Sequence, residues 1–396
     1  MLSDALRLKA TAFIRNRKLD AGKLVTLIIS RMYQALQLCL DHYYERLDQE
    51  PVSKQAFSQA RRNLDPEFIR GFVDTTAEIA AKDYTLATYQ GRRLIAIDGS
   101  DIALENAPEL IREFGCSGSK RSAATALCSI AYGPLDHVIY DCRLDKYATD
   151  ERDLAKAHIE RLTELNLKGS LLLFDRGYPS AEFIAFIKEN GYDFVMRVRR
   201  KFNLAVDAMK TQGMVTLEHD GKHYPVRVLK VTLPTGEVET LLTSLNQKQL
   251  PIRHAADLYF KRWGVETAYD LIKDKLQLEN FSGKTKISVL QDFYATIYLG
   301  NLVAFAAGIA DEQISLDDQG KDLKYPRQAN RNRTISKLRD RFLDLLLEPD
   351  ENLRATMLER LFESVARRPV SIVKGRSPAR KSPRNKKFHN AKKTVV

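Results

Sequence analysis

Cysteine and tryptophan are scarce in this chain, which has four cysteines and one tryptophan among its 396 residues. No two cysteines are spaced C-x-x-C and no histidine cluster accompanies them, which argues against a structural zinc site. So few thiols indicate a reduced cytosolic protein without disulfides. The N-terminus mixes acids and bases and lacks an apolar block before a small-residue cleavage site, so we expect no secretory signal.

Acidic residues are missing from the C-terminal segment. From Arg367 to the end there are eleven Lys or Arg and no Asp or Glu, while the whole chain has a net charge of +12. The rest of the chain is therefore nearly neutral. Segment 367–396 has few large apolar residues, so it cannot offset its ordering entropy, and we predict a disordered basic tail. Such tails typically lie against nucleic acid or another polyanion.

Long apolar runs are also rare. The exception is the eighteen-residue run FYATIYLGNLVAFAAGIA at 293–310, which is borderline in length for a membrane span. It lacks basic flanks and contains Asn301. We therefore predict a buried core helix and no membrane association.

The first 90 residues show helical periodicity of Ala, Leu, Ile and Met. A helix beginning after the N-cap Ser53 would bury Phe57 and expose Arg61 and Arg62. An exposed face of Arg, Gln and Ser suits DNA contact, so Arg61 and Arg62 are candidate DNA-binding residues. An ordinary amphipathic surface helix is the alternative.

From residue 91 to 200 the pattern predicts strand, strand, strand, helix, strand, helix, strand. That order is typical of a ribonuclease-H-like core that lacks only its closing helix, within a mixed α/β fold class. Hairpin patterns then delay the closing helix. The predicted organisation is a helical N-terminal DNA-binding region (1–90), the first part of the core (91–200), a β-rich insertion (201–252), the closing helices of the core (253–310), a helical C-terminal region (311–366) and the basic disordered tail (367–396).

Two of the buried strands are predicted to end in an acid with glycine close behind. The runs LIAID and SLLLFD end at Asp98 and Asp175. Chemistry in open α/β sheets gathers at the carboxyl ends of strands, although a single such Asp more often only caps a turn. Asp101 is a rival to Asp98, which we prefer because it directly ends the apolar run. Arg176, next to Asp175, is placed either to neutralise a phosphate or to pair with a nearby acid.

Four residues of YFKRWGVETAYDLIK combine helical spacing with unusual chemistry: Tyr259, Arg262, Glu266 and Lys273. On an ideal α-helix they fall within an arc of about 60°. A carboxylate can bind a divalent metal, and the other three side chains can bind phosphate oxygens. Asp270 lies on the same face, and helix geometry does not choose between it and Glu266.

Two strand acids and one helix acid can together hold two divalent ions about 3.5–4 Å apart. Carboxylate oxygens with little else favour Mg²⁺ or Mn²⁺. The pattern therefore predicts a metal-dependent site for in-line phosphoryl transfer on nucleic acid.

The spacing Tyr-x2-Arg-x3-Glu-x6-Lys resembles the signature, written YREK, of a large family of bacterial insertion-sequence transposases with a DDE catalytic triad. The segment AIDGS at 96–100 resembles their first motif and FDRGY at 174–178 their second. A β-rich insert between the second Asp and the Glu is also similar. The resemblance covers roughly residues 50 to 305.

This resemblance implies that Asp98, Asp175 and Glu266 are the catalytic, metal-binding triad, and it selects Glu266 over Asp270. The implied cofactor is a pair of Mg²⁺ ions, for which Mn²⁺ substitutes. Water would attack a phosphodiester at the element end, and the freed 3′-hydroxyl would then attack the opposite strand or the target. In some relatives the first attack gives a hairpin.

The resemblance also implies how the DNA is held. Tyr259, Arg262 and Lys273 would contact phosphates near the cleaved end. Trp263 would stack on a displaced base, where stacking on an aromatic side chain contributes about 1–3 kcal/mol. Packing of Trp263 in the core is the alternative interpretation.

The implied partners are double-stranded DNA, as element terminal inverted repeats and as target, and a second copy of the chain on paired ends. The implied location is the bacterial cytoplasm, at the nucleoid. Two other functions stay open: a ribonuclease-H-like DNA nuclease without strand transfer, and a transposase-derived DNA-binding protein without catalysis. The intact set of three acids argues against the DNA-binding protein without catalysis.

Overall fold

The computed structural model describes residues 6–14, 17–30, 35–82, 88–118, 123–232 and 236–373. Its chain divides into two compact units. The sheet unit comprises Asp74–Ile102 and Thr125–Asp270, and the helical unit comprises Met1–Val73, Ala103–Ala124 and Leu271–Val396.

The order of helices and strands follows the predicted one in the core, except for two short helices that the periodicity did not predict, Pro108–Phe114 and Leu204–Ala208. The helices are α1 (Ala21–Ile29), α2 (Leu36–Glu45), α3 (Lys54–Arg61), α4 (Pro66–Lys82), α5 (Pro108–Phe114), α6 (Glu151–Glu164), α7 (Ala181–Glu189), α8 (Leu204–Ala208), α9 (Ile252–Phe260), α10 (Gly264–Asp270), α11 (Lys286–Asp318), α12 (Arg331–Leu347) and α13 (Glu351–Ala366). The strands are β1 (Leu94–Ala103), β2 (Thr125–Tyr132), β3 (Ile139–Lys146), β4 (Leu171–Phe174), β5 (Asp193–Val198), β6 (Gln212–His219), β7 (Lys222–Thr232), β8 (Val238–Thr243), β9 (Arg327–Gln328) and β10 (Val370–Ser371).

The sheet unit contains one eight-stranded sheet in the order β3-β2-β1-β4-β5-β8-β7-β6. Strands β1, β4 and β5 run parallel, and β2 and β3 pair antiparallel. In a ribonuclease-H-like core the first three strands are neighbours in chain order, and the next two lie on the other side of the first strand. The order β3-β2-β1-β4-β5 matches this arrangement, so the predicted fold class is confirmed. The β-rich insertion continues the same sheet, because β8 pairs antiparallel with β5 and is followed by β7 and β6.

Continuous apolar runs explain the central strands. Every residue of β2 and of β4 is buried, as is typical of strands covered on both faces. Helix α6 packs on β2 and β3, while α7 packs on β5 and β6. On the insertion, α9 packs on β7, and α10 packs on β2. The strands that lead to Asp98 and Asp175 are therefore buried where they begin.

The hairpin between β6 and β7 shows how the residues of a turn determine the strand pairing in the insertion. Asp220 and Gly221 form its two-residue turn, and both have positive φ angles, 49° and 72°. A type I′ turn requires this conformation at both positions and matches the twist of the flanking strands. The strand register of the insertion follows from this turn.

The apolar run at 293–310 lies within α11, a 33-residue helix of the helical unit, as predicted. Thr285 begins the helix with a capping box to Ser288. The helix is long and apolar enough to cross a membrane, but 72% of its most apolar stretch is buried within the protein. It packs against α1, α12 and α13, as expected of a helix that is hydrophobic on all sides.

The prediction that Arg61 lies on an exposed face of α3 was wrong. The residue is 3% exposed, and its guanidinium pairs with Asp292 of α11 at 2.9 Å. Gln291 accepts from its Nε at the same distance. A buried guanidinium is tolerated because this carboxylate and amide offset its lost hydration. Arg62, in contrast, is exposed as predicted.

The first residues of the predicted disordered tail are ordered. Val370 and Ser371 pair antiparallel with Gln328 and Arg327. The prediction of disorder from residue 367 is therefore wrong for these residues, because their backbone groups complete a two-stranded ladder that composition does not reveal. The remainder of the tail, 374–396, lies outside the described residues.

Candidate active site

The structure places Asp98 on β1 and Asp175 directly after the end of β4, the parallel strand beside it. Strands β1 and β4 pair through Ala96 and Leu173, and each acid comes two residues after its member of that pair. Side chains two positions apart share a face of a sheet. The two carboxylates therefore point from the same face, at adjacent positions.

Strand β1 does not end at Asp98, as the sequence had predicted. It continues in extended conformation through Gly99 and Asp101 to Ala103. Gly99 therefore does not form a turn, and Asp101 does not follow one. A short apolar run predicts only the buried part of a strand, because the polar part continues through backbone pairing alone.

The carboxylate of Asp98 is largely buried, with a side-chain exposure of 20%. Burial raises its pKa to about 7, against the opposing effects of Arg262 and of the Gly99 N–H, which donates to Oδ1 at 3.0 Å. The negative charges of Glu151 and Asp175 raise the pKa further. The protein alone therefore does not fully compensate a negative charge on Asp98.

Two hydrogen bonds hold the backbone of Asp98 in place. Its carbonyl oxygen accepts from the buried Tyr269 hydroxyl at 2.8 Å and from Ser129 Oγ at 3.4 Å. Ser129 in turn contacts His158 Nε2 at 3.0 Å, and His158 Nδ1 lies 2.7 Å from Asp141. This buried chain has the composition of a hydrolytic triad, but His158 and Ser129 have no exposed surface, so its role is to fix β1.

Arg262 joins two of the three predicted catalytic acids. Its Nη1 donates to Asp98 Oδ2 at 3.4 Å and its Nη2 to Glu266 Oε1 at 3.1 Å. The guanidinium is 4% exposed, and its Nε finds no acceptor among the described residues. This bridge favours Glu266 over Asp270 as the helix acid of the site.

Tyr259 contacts the remaining acid. Its hydroxyl donates to Asp175 Oδ1 at 3.2 Å, and its ring lies 5.7 Å from the Arg262 guanidinium carbon. Burial, together with the Asp175 charge, raises the pKa of this phenol. The phenol therefore stays protonated and acts as a hydrogen-bond donor. Tyr259 thus contacts Asp175 and Arg262 contacts Asp98, while Glu266 is linked to a strand acid only through Arg262.

The helix that carries these residues is not the continuous α-helix assumed from the spacing. A 3₁₀ turn, Lys261–Trp263, separates α9 from α10, and a π-helical segment, Leu271–Lys275, follows α10. Both change the rotation per residue, so the arc calculated for an ideal helix does not extend to Lys273. Lys273 is partly buried in the π-helical segment, which belongs to the helical unit, and its phosphate contact stays a prediction.

An exposed aromatic pair lies on the 3₁₀ turn. Trp263 is 48% exposed and Phe260 63%, and their ring centroids are 5.3 Å apart with an interplanar angle of 31°. The alternative that Trp263 packs in the core is therefore wrong. Sequence analysis missed Phe260, although its offset of three from Trp263 could have indicated the pairing.

Arg176 is exposed directly after Asp175. Its placement leaves the guanidinium accessible to a polyanion, and the predicted DNA contact stays a prediction.

The chain matches the family described as "Transposase DDE domain" over residues 89–301, which is more than half of its length. It belongs to that family. The match begins before β1 and ends within α11, so it includes every residue of the contacts just described. The protein is accordingly a DNA transposase, an enzyme that catalyses DNA cleavage and strand transfer.

Two similar proteins are named as transposases. The chain is 24% identical over 333 residues to the transposase InsG for insertion sequence element IS4 from Escherichia coli strain K12, covering 77% of this chain and 74% of that protein. It is 26% identical over 192 residues to the putative transposase y4zB from Sinorhizobium fredii, covering 43% of this chain and 52% of the relative.

One solved structure is also similar, at a lower sequence identity. The piggyBac transposase synaptic complex with hairpin DNA aligns with a TM-score of 0.44 and 13% identity, over 87% of this chain and 77% of that one.

Transposases of this family depend on a divalent metal. The donors present suit such an ion chemically, because Asp98, Asp175 and Glu266 supply hard carboxylate oxygens. Among the described residues, however, no three His, Cys, Asp or Glu side chains are grouped to hold one ion as they stand. The Arg262 guanidinium lies between Asp98 and Glu266 and pairs with both.

Proposed function

We propose that Asp98, Asp175 and Glu266 form the catalytic triad of this transposase and that Tyr259, Arg262, Glu266 and Lys273 are its YREK residues. The observation that supports this most is the bridge from Asp98 through Arg262 to Glu266. It joins Asp98 to a residue 164 positions later in the chain and, through that residue, to Glu266.

The three carboxylates would hold two Mg²⁺ ions, with Mn²⁺ as a substitute. When bound, such ions activate the attacking oxygen and stabilise the leaving oxygen of an in-line phosphoryl displacement. The chain's own contribution is to fix the acids. Asp98 is set by the Tyr269 hydroxyl beneath its carbonyl, and Asp175 is set by the Tyr259 hydroxyl.

Arg262 would have two successive partners in this proposal. In the protein alone it neutralises Asp98 and Glu266. On DNA it would donate to a phosphate oxygen near the cleaved end, using the Nε that has no acceptor among the described residues. Guanidinium groups suit this exchange because their planar fork matches carboxylate and phosphate equally well.

The other proposed phosphate contacts are three further cations. Arg176 of the sheet unit and Arg62 of the helical unit are exposed, and Lys273 completes the set of phosphate-binding residues. Trp263 would stack on a displaced base, now with Phe260 beside it. Arg61 is left out, because its guanidinium is committed to Asp292.

The proposed partners are the element's terminal inverted repeats, target DNA and a second copy of this chain, acting at the bacterial nucleoid. Joining two element ends requires both to be held together, so a homodimer on paired ends is expected. Light scattering of the protein with and without element-end duplex tests this. A complex with one protein copy per two ends would contradict it.

The triad assignment is tested with element-end DNA in Mg²⁺, using both intact and pre-nicked substrates. Asp98→Asn, Asp175→Asn and Glu266→Gln should each reduce cleavage to background while a gel-shift assay still shows DNA binding. The rival acids offer matched controls, because Asp101→Asn and Asp270→Asn should retain cleavage. Full nicking by any triad variant removes that residue from the site.

Strand transfer separates this function from a simple nuclease. The wild-type protein should join a pre-nicked end to target DNA. Hydrolysis without joined product would favour a ribonuclease-H-like nuclease, and binding without nicking would favour a catalytically inactive DNA-binding protein. Short inverted repeats flanking the gene would identify the substrate ends.

A further inference from the structure

Gly264 is the first residue of α10 and lies in the chain between Arg262 and Glu266, two residues of the proposed site. Its backbone is right-handed helical, with φ −56° and ψ −33°, a conformation that residues with side chains adopt easily. Alanine favours such a position more than glycine does, because glycine loses more conformational freedom on folding. Backbone conformation therefore does not explain the glycine here.

The space beside Gly264 does explain it. A Cβ atom added at this position would lie 2.8 Å from Cβ of Pro134, 3.4 Å from Cα of Pro134 and 3.5 Å from Cε1 of Tyr132. Carbon atoms in contact are normally about 3.5–4.0 Å apart. Only a residue without a side chain lets the start of α10 come this close to the turn between β2 and β3.

Hydrogen bonds fix the turn that carries Pro134. The Gly133 N–H donates to the carbonyl oxygen of Val138 at 2.8 Å, and the His137 N–H donates to that of Gly133 at 2.7 Å. The side chain of Asp136, a residue only 6% exposed, accepts from the Val138 N–H at 3.1 Å. Cβ of Pro134 belongs to a ring closed on the backbone, so it cannot turn away from an added methyl group.

The contacts of Arg262 leave little room for a displacement of α10. The guanidinium lies 3.4 Å from Asp98 and 3.1 Å from Glu266, and a side-chain hydrogen bond no longer exists at about 3.6 Å. A Cβ atom at position 264 would have to move from 2.8 Å to at least 3.4 Å from Pro134, which is a shift of about 0.6 Å. That shift is larger than the margin of the contact between Arg262 and Asp98.

We propose that Gly264 is a positioning residue of the active site. Because it has no side chain, α10 and the 3₁₀ turn before it pack against Pro134, and this packing sets where Arg262 and Glu266 lie relative to Asp98. The turn between β2 and β3 supports the site in this way without contributing a group to the chemistry. The assignment rests on the proposed function, because it concerns the position of two residues of that site.

Cleavage of element-end DNA in Mg²⁺ by the full-length protein tests the proposal. Gly264→Ala should lower the cleavage rate by about 10- to 100-fold, since a misplacement of about 1 Å costs up to about 100-fold. In a Pro134→Gly background the same change should cost much less, because the atom that the new methyl group would meet is absent. The four proteins form a double-mutant cycle that isolates the contact between the two positions.

Gly71→Ala is the matched control. Gly71 lies within α4, and a Cβ atom added there would have nothing within 4 Å. The variant introduces the same methyl group into a helix, so it should leave the cleavage rate unchanged and raise the thermal stability slightly. Gly264→Ala should show no such gain in stability.

Trp263 gives a readout that does not depend on activity. It is the only tryptophan of the chain and directly precedes Gly264, so tryptophan fluorescence reports on this segment alone. The emission should change in Gly264→Ala, and the double variant should match Pro134→Gly. Thermal unfolding shows whether each protein is folded.

Slower cleavage together with a changed Trp263 emission, both relieved in the Pro134→Gly background, supports the proposal. A wild-type rate, an unchanged emission or an equal loss in the Pro134→Gly background overturns it. If Gly264→Ala does not fold, recovery of folding and cleavage in the double variant supports the close contact, and a lack of recovery overturns it. The proposed function is tested separately, because full cleavage by Asp98→Asn would remove the triad whatever the result for Gly264.

Discussion

Arg262 and Asp98, 164 positions apart in the chain, meet where Nη1 of the guanidinium lies 3.4 Å from Oδ2 of the carboxylate. The contact brings a permanent cation to the acid whose burial raises its pKa to about 7. Glu266 shares the same guanidinium. The protein alone thus stabilises part of the negative charge of these two acids with a side chain.

Arg262→Gln should bind Mn²⁺ more tightly than the wild type while cleaving DNA more slowly. The increase in affinity should be up to about fivefold, since partly exposed ion pairs contribute up to about 1 kcal/mol. Cleavage should slow because the variant has no guanidinium to donate to the proposed phosphate. Mn²⁺ titration and a cleavage time course measure the two effects separately.

Arg161→Gln is the control for that experiment, because Arg161 pairs with Asp74 and Glu164 instead. It should change neither quantity. Weaker Mn²⁺ binding by Arg262→Gln would mean that the guanidinium supports the metal site and does not compete with the ion.

The raised pKa of Asp98 makes a prediction about stability in the absence of metal. The folded protein holds the proton more tightly than the unfolded chain, whose carboxyl has the ordinary value of 3.8. The free energy of unfolding should therefore carry a contribution that is complete below about pH 4 and is lost as the pH rises through about 7.

Urea unfolding in EDTA between pH 4 and 8 measures this dependence. Asp98→Asn should flatten the curve in that window, since the amide does not titrate. Asp101→Asn, which alters an exposed acid of the same strand, should leave the slope intact. Equal slopes for wild type and Asp98→Asn would show that Asp98 is not the group responsible.

Much of the sheet unit could be predicted from sequence because its strands are fully buried. Runs such as LLLF in β4 are apolar on both faces, and their order along the chain gives the ribonuclease-H-like topology. The spacing of Tyr259, Arg262 and Glu266 likewise predicted that they share a site. These signals are local, so a single sequence carries them.

The features that the sequence did not reveal depend on partners far away in the chain. Arg61 is buried by Asp292, 231 positions later, and no helical pattern near Arg61 indicates that. The 3₁₀ turn before α10 leaves the spacing of apolar residues nearly unchanged, so periodicity does not detect it. Gly264 resembles any glycine in a helix, and only its close approach to Pro134 distinguishes it.

Phe260 and Trp263 should together contribute to binding of DNA with an unpaired base at the element end. Both rings are exposed and lie close together. Loss of one stacking partner costs about 1–3 kcal/mol per base. Trp263→Ala and Phe260→Ala should therefore each weaken binding of such an end, with a smaller effect on fully paired duplex.

A fluorescent base analogue at the terminal position reports this stacking directly. Leu204→Ala removes an apolar side chain of α8 that is even more exposed, at 90%, than the two rings, and it should leave the signal unchanged. An identical loss of affinity for paired and unpaired ends would indicate a backbone contact and not base stacking.

Removal of residues 374–396 should weaken DNA binding and flatten its salt dependence, because this segment holds nine Lys or Arg and no acid. The truncation keeps Val370 and Ser371, whose pairing with β9 belongs to the folded protein. For each phosphate that the tail no longer neutralises, the slope of log affinity against log salt concentration should become shallower by about 0.9. A full-length variant with the same nine residues changed to Gln is the matched control, since it keeps the length of the tail but not its charge. Both proteins should show the same reduced slope when binding is measured across a salt series, whereas a wild-type slope in either one would mean that the tail does not contact DNA.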